Sequence, residues 1–82
     1  MAYFNYYDFI QKIKTLTREN IRLYPDQWFN NEISSSEYAQ KLMDNRTEDE
    51  LQRDKANGID ISDYIMAIDE AYLEMEEELI GG

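Results

Sequence analysis

The stretch that decides the fold is DISDYIMAIDEAYLEMEEELI, residues 60–80. Apolar residues recur along it in steps of four, three, four, three and four, at Ile61, Ile65, Ile68, Tyr72, Met75 and Leu79. This spacing is typical of the apolar seam of an amphipathic α-helix, which packs against a core. The sequence therefore predicts a long C-terminal helix over 61–80, with its seam buried.

The predicted helix is also strongly acidic. Its seven carboxylates, spread over fifteen helical steps, are Asp63, Asp69, Glu70, Glu74, Glu76, Glu77 and Glu78. With a rise of about 1.5 Å per residue, this is roughly one charge per 3 Å. A single strand of duplex DNA carries about one charge per 3.4 Å. We therefore expect an acidic face, formed by Asp63, Glu70, Glu74 and Glu77, with the linear charge density of a phosphate strand.

A second apolar stripe runs along the same helix. Met66, Leu73 and Ile80 are seven residues apart, and they lie roughly 120° around the helix from the main seam. Asp69 and Glu76 stand between the two stripes. Because one core cannot easily cover both, either another helix of this chain or a partner covers the second stripe. The predicted partner-binding residues are these three apolar side chains and the seven carboxylates.

The rest of the chain also predicts helices. It contains no Val, one Pro and three Gly, which favours helices over sheets. Capping residues and Pro25 divide one predicted all-α domain, 1–82, into a bundle of three to four main helices. The predicted segments are a helix over 5–24, a short helix over 25–32, a helix over 35–44, a solvated helix or mobile arm over 48–57, and the long helix over 61–80.

The first helix carries a basic stripe of its own. Lys14, Arg18 and Arg22 follow each other at intervals of four, so they share one side of the helix. We expect the first helix to pack against the last. If the basic stripe lies beside the acids of the last helix, part of the charge is offset within the chain, and the likeness to a phosphate strand weakens.

The net charge of −10 is unevenly distributed. Residues 1–43 are neutral, with five basic and five acidic side chains, and all the net charge lies in 44–82. Such a chain repels nucleic acid and anionic membranes and attracts basic surfaces. We therefore expect a basic protein partner, namely a nucleic-acid-binding enzyme, with no direct binding to nucleic acid or membranes.

The composition also restricts the chemistry. The chain has no Cys and no His, which removes thiol nucleophiles, disulfides, common zinc ligands and the usual general base. Acid–base catalysis by two carboxylates needs two different environments, whereas these acids are expected on one exposed surface. We predict a non-enzymatic protein without cofactor or metal. The lack of Cys, of a signal peptide and of a membrane span of about 20 residues predicts a cytoplasmic location.

In its length, acidity, richness in Tyr, Asp and Glu, and lack of Cys, the chain resembles small acidic inhibitors made by phages and mobile elements. These include DNA-mimicking anti-restriction and anti-CRISPR proteins. The resemblance includes no alignable motif, so it assigns no role to any single residue. It implies an inhibitor that occupies the nucleic-acid site of a host enzyme.

Two alternatives share the same features. The first is a helical regulatory module, or a homodimer, that uses Met66, Leu73 and Ile80. The second is an immunity-type toxin inhibitor, because bacteriocin immunity proteins include acidic four-helix bundles. The Tyr-Tyr-Pro element of the colicin nuclease group is missing from this sequence.

Overall fold

Five α-helices follow one another in residues 4–80, the part of the chain that the computed structural model describes. They are α1 (Tyr6–Leu23), α2 (Pro25–Phe29), α3 (Ser35–Asp44), α4 (Glu48–Ala56) and α5 (Ile61–Leu79). The predicted all-α class is confirmed for these residues. The short helix is only one turn long and ends earlier than predicted. The outermost residues of the predicted domain, 1–3 and 81–82, lie outside the described part.

Local sequence signals set the helix boundaries. The side chain of Asn5 accepts a hydrogen bond from the backbone N–H of Asp8 at 3.1 Å and caps α1. Pro25 ends α1 and occupies the first turn of α2, where its missing N–H is not needed. Thr47 and Glu50 form a reciprocal capping box on α4. After α4 the chain turns at Gly58, whose φ of 79° favours glycine.

The longest helices, α1 and α5, run parallel. Near their N-termini Tyr6 contacts Asp63, and near their C-termini Arg22 contacts Glu78. The intervening helices α2 to α4 carry the chain back to the starting end. Of these, α3 packs antiparallel to α5. Its first residue, Ser35, hydrogen-bonds to Asp69 in the middle of α5, and its later turns lie beside the start of α5.

The core face of α5 differs from the predicted seam. Its buried residues are Tyr64, Ala67, Ile68, Ala71 and Met75. Ile68 and Met75 are common to both sets, and Ile61, Ile65 and Tyr72 of the predicted seam are partly buried against the core, but Leu79 is 48% exposed. The core face is centred on Tyr64, Ala67 and Ala71, which the predicted seam did not include. Both alanines have no exposed surface, and their small side chains allow neighbouring helices to approach closely.

The one-turn helix α2 inserts Trp28 into the core. Trp28 is 2% exposed, and its indole N–H donates a hydrogen bond to the side-chain oxygen of Asn20 at 2.9 Å. Its ring meets Tyr38 of α3 edge to face, with centroids 5.2 Å apart. The indole therefore links α1, α2 and α3 while its polar atom is satisfied.

Helix α4 is anchored rather than merely solvated. Asp54, on its inner side, is 5% exposed and accepts a hydrogen bond from the Tyr64 hydroxyl of α5 at 2.9 Å. Its other oxygen accepts one from Arg46 Nη2 at 3.0 Å. Arg46 Nε also lies 2.9 Å from Asp54 as an ion contact, without hydrogen-bond geometry. Burial, and then the hydrogen bond to Asp54, raise the pKa of the Tyr64 hydroxyl.

Of the two descriptions predicted for 48–57, the structure has the helix, and most of its residues are exposed, with Asp54 as its one buried side chain. A buried carboxylate is retained only where partners satisfy it, and those partners lie outside α4. Among the described residues, the i, i+4 ion pair in this region is Arg46–Glu50, at 3.8 Å.

Candidate partner-binding surface

The side of α5 that faces α1 is a network of ion pairs. Lys14 Nζ donates to Glu74 Oε2 at 2.6 Å and lies 3.7 Å from Glu70. Arg18 Nη2 donates to Glu74 Oε1 at 2.7 Å, and Arg22 lies 3.8 Å from Glu78. The hydrogen bonds from Lys14 and Arg18 lower the pKa of Glu74. The basic stripe of the first helix thus lies beside these acids.

Asp63 is also occupied within the fold. One carboxylate oxygen accepts a hydrogen bond from the Tyr6 hydroxyl at 2.7 Å. The other accepts one from the backbone N–H of Asp60 at 3.0 Å, which completes the capping box at the start of α5. The hydrogen bond to Asp63 is the main cause that raises the pKa of Tyr6. Asp63 therefore positions α5 instead of facing a partner.

These contacts correct the predicted acidic face. Asp63, Glu70 and Glu74 all have partners within the fold, whereas Glu77, about 20° around the helix from Glu70, has no ion-pair partner among the described residues. Glu78, also predicted to bind a partner, pairs with α1 as well. Of the two arrangements that the sequence left open, the structure has the one in which the basic stripe of α1 lies beside acids of α5, so part of the predicted acidic face is offset within the chain.

The second apolar stripe is uncovered. Met66, Leu73 and Ile80 are 42%, 61% and 64% exposed, and no element within residues 4–80 covers them. At about 100° per residue, the stripe lies roughly 120° from the predicted seam and roughly 180° from the centre of the observed core face. It is therefore on the far side of α5, pointing away from the bundle.

Three exposed carboxylates flank this stripe. Asp69, Glu76 and Glu77 form no ion pair with any residue of the described chain. Asp69 accepts a hydrogen bond from the Ser35 hydroxyl. Glu76 lies beside the Tyr72 hydroxyl, whose pKa is raised by burial and, to a smaller extent, by Glu76. We call the surface formed by Met66, Asp69, Leu73, Glu76, Glu77 and Ile80 the back face.

Ion pairing redistributes the charge of the molecule without reducing it. Lys14, Arg18 and Arg22 belong to the neutral first half of the chain but pair with acids of the second half. The acids of the first half consequently lack ion-pair partners among residues 4–80. The molecule is therefore acidic on many sides, and what distinguishes the back face is its combination of free carboxylates with exposed apolar side chains.

Sequence reasoning missed a cavity of about 520 Å³ between α3, α4 and α5. Its apolar walls are formed by Met43, Leu51, Ile59, Ile61 and Tyr64. Asp54, its buried acid, already accepts hydrogen bonds from Arg46 and Tyr64. No pattern in the sequence indicated this cavity, because residues of three separate helices and of the turn before α5 line it.

Residues 4–80 contain no cluster of three or more His, Cys, Asp or Glu side chains that could hold a metal ion. Within the same range, no helix has both the length and the apolar character needed to cross a membrane. The back face, by contrast, can bury apolar surface and pair its carboxylates with cations when it contacts another molecule.

Comparison with known proteins adds no family. No protein-family model, curated protein or solved structure matches this chain. Function is therefore inferred from the residues and their arrangement.

Proposed function

We propose that this chain is a small, non-enzymatic binding protein that inhibits an enzyme by occupying the basic surface where that enzyme binds nucleic acid. The observation that supports this function is the back face, an uncovered apolar stripe with free carboxylates beside it on a chain of net charge −10. Apolar anchors supply most of the affinity in a typical interface. Surrounding charges supply partner choice and speed of association.

A nucleic-acid site is the class of basic surface that fits best. Such sites carry clustered Lys and Arg, and apolar or aromatic side chains frequently contact the bases beside them. The back face offers the complement of both, namely carboxylates for the cations and Leu73 with Ile80 for the apolar platform. The internal pairing of Glu70, Glu74 and Glu78 narrows the proposed contact from the whole acidic helix to this one side of it.

Self-association is less favourable. The heptad spacing of Met66, Leu73 and Ile80 favours helix-to-helix packing. In a homodimer through this stripe, however, Asp69 and Glu76 of both copies would lie in the same seam. Like charges that are brought close together in a protein interface cost roughly several kcal/mol of binding free energy. A basic partner removes that repulsion, whereas a second copy creates it.

Capture from a bacterial lysate tests the proposed function, bacteria being the hosts that the resemblance to phage inhibitors implies. The immobilised wild-type protein is compared with the double variant E76Q/E77Q and with E19Q/E32Q. Both variants lose two charges from exposed positions, but only the first changes the back face. Retained proteins are eluted with duplex DNA or with salt raised from about 0.05 M to 0.5 M, which shortens the range of electrostatic attraction.

We expect the wild type and E19Q/E32Q to retain a nucleic-acid-binding protein that duplex DNA releases, and E76Q/E77Q to retain about tenfold less of it. We also expect the wild type to inhibit the DNA binding of the purified partner. Retention of a protein that neither DNA nor salt releases would contradict the proposal. Equal loss in both double variants would contradict the role of the back face.

A further inference from the structure

The geometry of the back face indicates what kind of structural element binds it. Met66, Leu73 and Ile80 are spaced by seven residues along α5. On an α-helix, positions seven apart drift by about 20° per heptad. The stripe is therefore a gently slanted line about 21 Å long. A second helix that crosses α5 at about 20° follows such a line over its whole length.

The charges on the back face repeat with the same period. Asp69 and Glu76 each lie three residues after an apolar residue of the stripe, and Glu77 lies four residues after Leu73. In paired helices, positions i and i+3 both face the neighbouring helix. A helix on this surface therefore contacts apolar and acidic positions in alternation. It needs apolar side chains opposite the apolar positions and Lys or Arg opposite the acidic ones.

Other modes of peptide binding do not fit this surface. A β-strand binds by adding to an exposed sheet edge, and in α5 the backbone groups are already used within the helix. Neither Leu73 nor Ile80 lies in a deep pocket, because both are more than half exposed. A convex, straight and periodic surface is best matched by another helix.

We infer that the back face binds an amphipathic basic helix of the partner protein, with apolar residues seven apart and Lys or Arg between them. This inference rests on the proposed function, because it assigns the structure of the partner at the same surface. The helix that binds is thus defined by the spacing of its apolar residues and by its positive charge.

Helix α1 provides an internal control for this inference. Leu16 and Leu23 are also seven residues apart and are 39% and 71% exposed. The charges beside them are mixed, since Lys12 precedes Leu16 by four residues and Glu19 follows it by three. The pair Leu16 and Leu23 has similar apolar exposure but lacks the acidic pattern. We therefore expect that this part of α1 does not bind the same helix.

A synthetic peptide of about three heptads serves as the probe, with Leu at the first position of each heptad and Lys three residues later. One control peptide has Glu in place of each Lys, and another has the Lys and Leu positions scrambled. Isothermal titration measures the binding of each peptide to the wild type and to the variants L73E, M66E and L23E. Circular dichroism checks that each variant keeps its helix content and its melting temperature.

We expect the Lys peptide to bind the wild type and L23E alike, and L73E and M66E to bind it at least about tenfold more weakly. The Glu and scrambled peptides should bind weakly to every form. Equal binding of the scrambled and ordered peptides, or equal loss in L73E and L23E, would overturn the inference. A wild-type dimer that L73E dissociates would overturn it in favour of a second copy.

The outcome also separates this inference from the proposed function. If the peptides fail to bind while the lysate partner is still retained and released by DNA, the assignment of a helix is wrong and the proposed function stands. If the ordered peptide binds at the back face but no DNA-releasable partner is retained, the inhibitor function is wrong and the helix-binding surface stands.

Discussion

The two sides of α5 carry the same residue types and use them in opposite ways. On the α1 side, Glu70 and Glu74 pair with Lys14 and stabilise the packing of two parallel helices. On the back face, Glu76 and Glu77 have no ion-pair partner among residues 4–80, and the neighbouring Leu73 is 61% exposed. The availability of a carboxylate is therefore decided by the neighbouring helix and not by the composition of its own helix.

The largest expected difference between the two sides is in the apolar residues. Ile68 is fully buried, whereas Leu73 is 61% exposed. We expect Ile68→Ala to lower the free energy of unfolding by about 3 kcal/mol, the scale of a cavity in a packed core. Leu73→Ala should change it by less than about 0.5 kcal/mol. Urea denaturation measures both. Similar losses in the two variants would mean that Leu73 is packed, and that the back face is not a free surface.

A smaller effect is expected at Asp54, which extends the comparison to α4. Asp54→Ala leaves the buried Tyr64 hydroxyl and the Arg46 guanidinium without their acceptor. We expect a loss of about 2 kcal/mol in the free energy of unfolding. Asp49→Ala, in the exposed first turn of the same helix, should cost about 0.5 kcal/mol through the helix dipole. Equal losses, measured by urea denaturation, would show that α4 is not anchored through Asp54.

Local features of this fold could be predicted from the sequence, whereas the packing of the helices could not. Caps such as Asn5 and Thr47 are local, so the helix boundaries were predicted to within a few residues. The alignment of Leu73 and Ile80 on one side of α5 follows from periodicity, whereas their exposure depends on where the other helices pack. The parallel register of α1 against α5 does not follow from periodicity, because it depends on how the intervening helices return the chain.

For the same reason, the sequence could not predict the role of Asp54. The spacing of charges within α4 suggested a solvated helix, and the partners of this carboxylate lie on Arg46, before α4, and on Tyr64, in α5. A buried polar contact between elements leaves no periodic signal. Small buried residues also escape such a prediction. Ala67 and Ala71 belong to the core face of α5, but a search for large apolar residues does not detect them.

The pH dependence of stability distinguishes the α1 side further. Hydrogen bonds from Lys14, and then from Arg18, hold the pKa of Glu74 below its ordinary value of 4.5. A lowered folded-state pKa stabilises the fold above the unfolded-state pKa, and the stabilisation is lost as the pH falls through the folded-state value.

We therefore expect Glu74→Gln to lower the free energy of unfolding at neutral pH by at most about 1 kcal/mol, because the pair is partly exposed and screened. The difference from the wild type should shrink as the pH falls below 4.5, the ordinary pKa of this group. Denaturation curves at several pH values measure it. A difference that stays constant down to acid pH would argue against the ion pairs with Lys14 and Arg18. As a control, Glu77→Gln at neutral pH should change the stability by less than about 0.5 kcal/mol.

One pair of double variants tests the central claim most directly. E76Q/E77Q and E70Q/E74Q each remove two carboxylates from the same helix, so they have the same net charge. For both proteins we propose to measure the melting temperature and the affinity for the partner that the wild type retains. E76Q/E77Q should bind about tenfold more weakly with an unchanged melting temperature. E70Q/E74Q should melt lower, by at most about 8 °C, with unchanged affinity. Equal losses of affinity in the two variants would contradict the claim that the back face binds the partner, because affinity would then depend only on the net charge.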